Sequence, residues 1–592
     1  MKKIDIFFRL VLAVLITLSL MISCCILPQA FIDNDAHPSL PNANSSWFWS
    51  NYEILSDTST ANAYSPQIAI DSDNNIHVVW YDNTPDLLSS GGDSDIFYIS
   101  YNSEIETWSP LELVSSESTD TSLHPVIAVD TNDDIHIAWT DWSDYLGADT
   151  DRDVFYKKKN AGGSWTITSV ISTDSTLTIH EELTIYVDNN DNLYIAWSDP
   201  TDILGADGDN DIFLKFYNDT ASSWSSTTLI STESSAYAYK PQIVANSLSG
   251  DVHFVWYDYT DILGADTDGD IFYRRWNVYT STLSDLNLLN SFSDLNSYNP
   301  KIALDQNDDI HVIWADYADY LDSGINQDLF YKKLYTSSDS WGLTEVVSSE
   351  SRHSTEHPDI VVDKNGFVFV AWYDATEYSG AGTDFDIFFK FRDPSINQWS
   401  ITEVVSVESN DLSHQPELEV DSFGFVSCVW IEQEDLDSSG TDPDICYRKF
   451  AGTPSIPILS PIIPNPSSIG NVSLEWSEIL SAEEYAVYRD TSYIWSISGR
   501  EPLSITTDVS FTDTLNETGF YYYAILANNE YGTSAISNVE YVEIAEETKT
   551  GLFTSLSLSE ILIMAGVVLG LQIIVSVITY SLTKGSSSKR KK

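Results

Sequence analysis

The sequence predicts an all-β protein: a seven-bladed β-propeller, a smaller β-sandwich after it, and one apolar helix near the C-terminus. Two repeating markers predict the propeller. A tryptophan recurs every 58 or 59 residues, at Trp80, Trp139, Trp197, Trp256, Trp314, Trp372 and Trp430. An acidic-apolar tetrad keeps step with it, beginning at Asp95, Asp153, Asp211, Asp270, Asp328, Asp386 and Asp444. A fixed period of this kind denotes one supersecondary unit that buries its faces only by stacking on its neighbours.

The second unit shows the strands. Trp108-Ser-Pro-Leu-Glu-Leu-Val-Ser is a short strand, and a Ser/Thr/Asp-rich loop leads from it to Pro125. Val126 to Asp130 and Ile135 to Thr140 form a hairpin across Thr131-Asn-Asp-Asp134. A long acidic loop then reaches Asp153-Val-Phe-Tyr-Lys157, and Gly162-Gly163 turns the chain toward Trp165. Four strands in about 58 residues is the arithmetic of a propeller blade. The seventh unit lacks its Trp-led strand after Tyr447, and an orphan copy, Trp49-Ser-Asn-Tyr-Glu-Ile-Leu-Ser56, precedes the first unit. Pairing the two closes the ring and removes an open sheet edge. The propeller is therefore assigned to residues 49–451.

The remaining segments predict a surface protein. Lys2, Lys3 and Arg9 precede an apolar run, a secretory signal over 1–30 cleaved after Ala30 (or, through Met21-Ile-Ser-Cys24, lipidated at Cys24), with a linker over 31–48. Residues 561–582 are apolar, and at 1.5 Å per residue they span about 33 Å, enough to cross a bilayer. A stalk over 546–560 precedes them, and a tail over 583–592 follows with Lys584, Lys589, Arg590, Lys591 and Lys592, which the positive-inside rule keeps in the cytoplasm. The expectation is a single-pass membrane protein with its ectodomain outside. Bias toward Ile, Asn, Tyr and Asp, with a bare C-terminal anchor, suggests an archaeal source.

The formal net charge of −61 excludes nucleic acid as a partner and favours cations, cationic partners or solubility in salt. Sequons at Asn44, Asn218, Asn471 and Asn516 permit glycosylation. Cys428 and Cys446 are the cysteines of the processed ectodomain. Pairing Trp430 with Asp444 across the hairpin sets them face to face, so a disulfide is expected.

Past Gly452 the repeat stops. Gly470-Asn-Val-Ser-Leu-Glu-Trp476, Glu484-Tyr-Ala-Val-Tyr-Arg489 and Gly519-Phe-Tyr-Tyr-Tyr-Ala-Ile-Leu-Ala-Asn-Asn529 read as short strands. Together they resemble a fibronectin type III domain over 455–545, which implies a tyrosine corner at Tyr521. No Arg-Gly-Asp triplet accompanies it, so the resemblance implies a spacer rather than integrin-type adhesion.

The acidic loops are the strongest chemical signal. Asp149, Asp151 and Asp153, then Asp207, Asp209 and Asp211, then Asp266, Asp268 and Asp270 alternate along three near-identical loops. Alternating aspartates gather hard oxygens on one turn, which suits calcium, and Asp141/Asp144, Asp199/Asp202 and Asp258/Asp261 stand ready to complete a cage. The competing reading is loop capping, because the last aspartate recurs in all seven units. His77, His136, His253 and His311 recur in one strand and read as packing. His124, His180, His357 and His414 lie near the mouth, one per blade, too sparse for a zinc site.

The repeat resembles the sialidase-like (BNR-type) propellers, through units such as Pro125-Val-Ile-Ala-Val-Asp130 and Ile76-His-Val-Val-Trp80. That family's glycosidases rely on an arginine triad. Only Arg152, Arg274, Arg275, Arg352, Arg392 and Arg448 lie in this propeller, with Arg152 and Arg352 on the mouth face, and a well-formed Asp-box is missing. Near-identical repeats single out no carboxylate pair, so the chain is expected to have no catalytic residues and to bind a glycan, protein or envelope component. An enzyme acting on polysaccharide and a structural envelope subunit are the alternatives. Any catalytic residues are expected in the irregular mouth loops of blades five to seven, among Arg352, His353, Glu356, Glu377, Glu432 and Glu434.

Overall fold

A computed structural model describes residues 47–545, apart from 149–150, 180–182, 322, 325, 437–441, 469, 480 and 498. Seven antiparallel sheets of four or five strands account for the repeats. Each begins at an inner strand: Ala63–Ile70, Ser122–Val129, Leu183–Val187, Ala238–Asn246, Ser297–Leu304, Glu356–Val362 and Ser413–Val420. The tryptophan strand pairs outside it, then the Asp-led strand, then two-residue outer pieces. The Trp108 segment therefore closes the first sheet, where Trp108 faces Tyr101, and does not open the second.

The inner strands contact one another in chain order, and the seventh packs against the first, so the ring is closed. Its seam is the split seventh sheet. Trp47–Trp49 and Glu53–Ile54 pair with Asp444–Gly452, with Trp49 opposite Phe450 and Ile54 opposite Cys446. Trp49 also meets Phe389 edge-on at 5.0 Å between ring centroids. All seven repeat tryptophans are at most 2 % exposed and sit between successive sheets.

The tetrad aspartates hold the outer pieces. Ser115 Oγ donates to Asp95, Ser231 Oγ to Asp211 and Ser348 Oγ to Asp328, at 2.6–2.8 Å, and Asn290 Nδ2 donates to Asp270 at 2.7 Å. In the split sheet Ser56, from the N-terminal piece, makes the same bond to Asp444 at 2.6 Å. The strand histidines are packing residues, as their pattern implied. His77 bridges Tyr98 and Asp71, and His136 and His311 make the same pair of contacts to Tyr156 and Asp130 and to Tyr331 and Asp305.

Two sheets follow, Gly470–Glu475 with Ser510–Leu515, and a six-stranded sheet centred on Gly519–Asn529. Val472, Trp476, Tyr485, Tyr523 and Ile544 share one core between them. Tyr521 donates its hydroxyl to the Glu517 carbonyl at 3.2 Å, and Tyr531 packs on Phe48 and Phe425 of the seventh sheet.

Two expectations are corrected here. The disulfide fails on register: Glu432 pairs with Asp444, so Cys446 faces Trp430 while Cys428 faces Arg448. The cysteines are diagonal neighbours, and both are buried free thiols. The single-pass membrane localisation is withdrawn. No helix among the described residues is long and apolar enough to cross a membrane, and the span read at 561–582 lies outside them. The signal, stalk and basic tail lie outside them too, as do Asn44 and Asp149. Asn471 and Asn516 are exposed and Asn218 is half-buried.

Candidate active site in the central channel

The inner strands enclose a cavity of about 530 Å³ on the ring axis. Six of these strands have a proline preceded by a non-glycine residue of positive φ: Ser65 (50°), His124 (50°), Lys240 (51°), Asn299 (52°), His357 (42°) and Gln415 (53°), all but Asn299 in the cavity wall. The pairing register shifts at each of these places, a β-bulge that re-aims the side chains after it. Left-handed backbone at bulky residues is strained and persists only where its surroundings over-determine it.

The residue after each bulge breaks the sevenfold symmetry. Around the ring this position reads Gln67, Val126, Thr184, Gln242, Lys301, Asp359 and Glu417, and Glu419 lies two residues beyond Glu417 on the same face. Lys301 Nζ donates to both Glu417 oxygens at 3.0 and 2.9 Å and pairs with Asp359 Oδ1 at 3.2 Å. Asp359 Oδ2 accepts the Leu418 N–H at 2.7 Å, which ties the sixth inner strand to the seventh. Burial opposes the Lys301 charge, but Asp359 and Glu417 outweigh it and hold the ammonium well above the usual lysine range.

Burial pushes the Glu417 carboxyl up to about 7 despite Lys301, with Asp359 adding to the shift. Burial likewise pushes Glu419 up to about 7. Their surroundings differ. Glu417 has a lysine and Gln67, whereas Glu419 accepts the Val420 N–H at 3.0 Å and has no cation bound to it. Near neutrality both carboxyls therefore hold part of a proton, Glu417 beside the Lys301 ammonium and Glu419 apart from it. Tyr186 completes this wall.

Aromatic side chains flank the wall residues along the chain. Tyr64 packs on Tyr81, Tyr239 on Tyr257, and Tyr257 on Tyr298, at 5.4–5.7 Å between centroids, and Tyr373 packs on His357 at 5.6 Å.

The sequence-predicted residues fall elsewhere. Glu432 accepts from Trp430, Ser413 and Ser409, and Glu356 accepts from Tyr373, so both serve the fold. None of the six arginines lines the cavity. Arg274, Arg392 and Arg448 pair with Glu233, Glu345 and Glu408. Asp141, Asp199 and Asp258 accept from the tryptophan indole and from a loop N–H, as loop caps. Of the three acidic loops, the third sheet's draws Asp207, Asp209 and Asp211 together, with one ligand atom from each inside 4.8 Å. In the fourth sheet's loop Asp266 turns back onto the Asp268 N–H at 3.2 Å. Asp151 is half-buried and Asp153 buried.

No family description matches the chain, and no curated protein does. Similar solved structures include an ulvan lyase of a new polysaccharide lyase family, at 10 % identity, covering 65 % of this chain and 94 % of that one with a TM-score of 0.44. An α-L-arabinanase of Penicillium chrysogenum is 14 % identical, covering 55 % and 92 %, with a TM-score of 0.38. An intramolecular trans-sialidase of Ruminococcus gnavus is 11 % identical, covering 68 % and 97 %, with a TM-score of 0.35. At these values they set no chemistry for this chain. The expectation of a non-catalytic protein is nevertheless corrected. Its ground, that near-identical repeats single out no carboxylates, fails at Asp359, Glu417 and Glu419.

Proposed function

We propose that the propeller is a carbohydrate-active enzyme whose channel acts on a glycan. The observation that carries this reading is the break in symmetry: one lysine and three carboxylates concentrated in three consecutive inner strands of an otherwise repetitive ring. General acid–base chemistry needs carboxyls in different environments, and Glu417 and Glu419 meet that need. In this reading the Glu419 carboxyl protonates the leaving glycosidic oxygen, and the Glu417 carboxylate takes a proton from the attacking water. Alternate residues of a strand lie about 7 Å apart, a spacing that leaves room for that water. Lys301 favours the ionised form of Glu417 and fixes its position against Asp359.

Tyr186 offers a flat apolar face beside a few fixed polar groups, the composition of a small-molecule site. Three carboxylates against two lysines, Lys240 and Lys301, favour a neutral glycan over a sulfated or uronic one. The sandwich, with its fibronectin-like pattern, serves as a spacer. The test is to assay the full chain on neutral and acidic polysaccharides for new reducing ends or unsaturated products. Expected is turnover on a neutral glycan that falls about a hundredfold or more in Glu419→Gln, the scale of a lost general acid. Saturable binding with no product across the panel would overturn catalysis and leave glycan recognition.

A further inference from the structure

We propose that the third sheet's acidic loop, Asp207-Gly-Asp-Asn-Asp211, is a calcium site. Three carboxylates alone would not make one. The second observation is Asp211 itself: its residue is 1 % exposed, its Oδ1 is held by Ser231 at 2.6 Å, and its Oδ2 has no hydrogen-bond partner. A buried carboxylate oxygen without a donor costs free energy unless something cationic meets it. Asp209 Oδ1 is likewise buried without a partner, and Asp207, exposed at the lip, brings a third carboxylate to the same place.

The dimensions suit the ion. The three ligand atoms lie within 4.8 Å of one another, and calcium–oxygen distances of 2.3–2.6 Å give a shell about 4.6–5.2 Å across. Exposed Asp207 leaves the outer hemisphere to water, which completes the six to eight oxygens that calcium takes.

A glycine explains why this loop gathers its acids and its neighbour does not. Gly208 sits at φ 93°, with open space where a Cβ would point, so the penalty there is conformational and not a clash. That left-handed turn folds Asp207 over Asp209 and Asp211. The fourth sheet has Thr267 at this place, and its Asp266 is spent on a backbone N–H. The calcium site is independent of the channel reading, since none of its residues lines the channel.

The test is calorimetric titration of the chelator-treated full chain with calcium chloride and, separately, magnesium chloride. Expected is saturable calcium binding with a Kd of about 10⁻⁴–10⁻³ M, the range of partly hydrated sites, and weaker magnesium binding. Calcium should also raise the melting temperature, as any ligand of the native state does. Asp209→Asn should weaken binding about tenfold or more, and Gly208→Thr should do the same with every aspartate intact. Asp268→Asn, the matching change in the fourth sheet, should leave it unchanged. Circular dichroism of each variant separates lost binding from lost folding, and Asp209→Asn removes no hydrogen bond made by its Oδ1. No saturable heat up to about 10 mM calcium, or binding lost in Asp268→Asn and kept in Asp209→Asn, would overturn the site.

Discussion

Lys301 supplies one positive charge to two carboxylates, and that imbalance is the most consequential local fact in the channel. Removing the partner of a buried ion pair leaves an uncompensated charge, at a cost of about 3–5 kcal/mol. Lys301→Met should therefore destabilise the chain in urea by roughly that amount at pH 8. The loss should shrink at pH 5, where Glu417 takes up a proton, and the double variant with Glu417→Gln should recover most of it. Equal losses at both pH values would show that Lys301 acts through packing alone. The signal for this cluster was present in the sequence: the residue after the inner-strand proline, or after Leu183 in the third unit, is neutral in the first four units and charged in the last three. It is easily missed because functional groups concentrate on loops, whereas these sit within strands. The irregular mouth loops of blades five to seven belong to the same three units, although Glu356 and Glu432 there bond within the fold and do not line the channel.

The split sheet is the element on which ring integrity turns. Ser56, 1 % exposed, donates to Asp444 and accepts the Ile445 N–H at 2.9 Å, so one hydroxyl satisfies two buried groups across the seam. Ser56→Ala removes both bonds and should cost about 1–3 kcal/mol in urea unfolding, more than substitution of an exposed serine. A cost indistinguishable from zero would mean that the seam contributes little to closure. The seam was legible because the missing and orphan strands are the same text with the same 17-residue spacing to a proline. Register was less legible. An offset of two residues, fixed by the Glu432–Asp444 pair, moved Cys446 from opposite Cys428 to opposite Trp430. The bulges were less legible: Ser65, His124, Lys240, Asn299, His357 and Gln415 share no side-chain chemistry, and the proline after each marks the place without showing the left-handed backbone.

For the whole molecule, the dependence of stability on pH follows from two opposed sets of carboxyls. Burial pushes Asp95 up to about 6, with Asp93 and Asp141 adding; Asp328 up to about 7, with Asp374 and Asp319 adding; and Asp386 up to about 6, beside Asp384 and Glu432. Glu417, facing Lys301 and Asp359, and Glu419, facing Asp359, join them at about 7. Each of these binds more protons folded than unfolded between its ordinary value, near 4, and its raised one, so raising the pH across that window lowers stability. Asp130 shifts the other way. Burial alone would raise it, but bonds from His136, Asp134 and Asn132 hold it at about 2, so its contribution is present above 3.8 and is lost as pH falls toward 2. Repulsion within a net charge of −61 grows as the last carboxyls ionise, which steepens the alkaline limb, and salt screens it. The melting temperature should therefore peak near pH 5, fall toward pH 8 and fall again below pH 4, with the alkaline slope reduced in high salt. Glu419→Gln should flatten that slope without moving the acid limb. Calorimetry from pH 3 to 9 in the presence of chelator reads both limbs, and a melting temperature that rises from pH 5 to 8 would mean that these carboxyls are not desolvated in the folded chain.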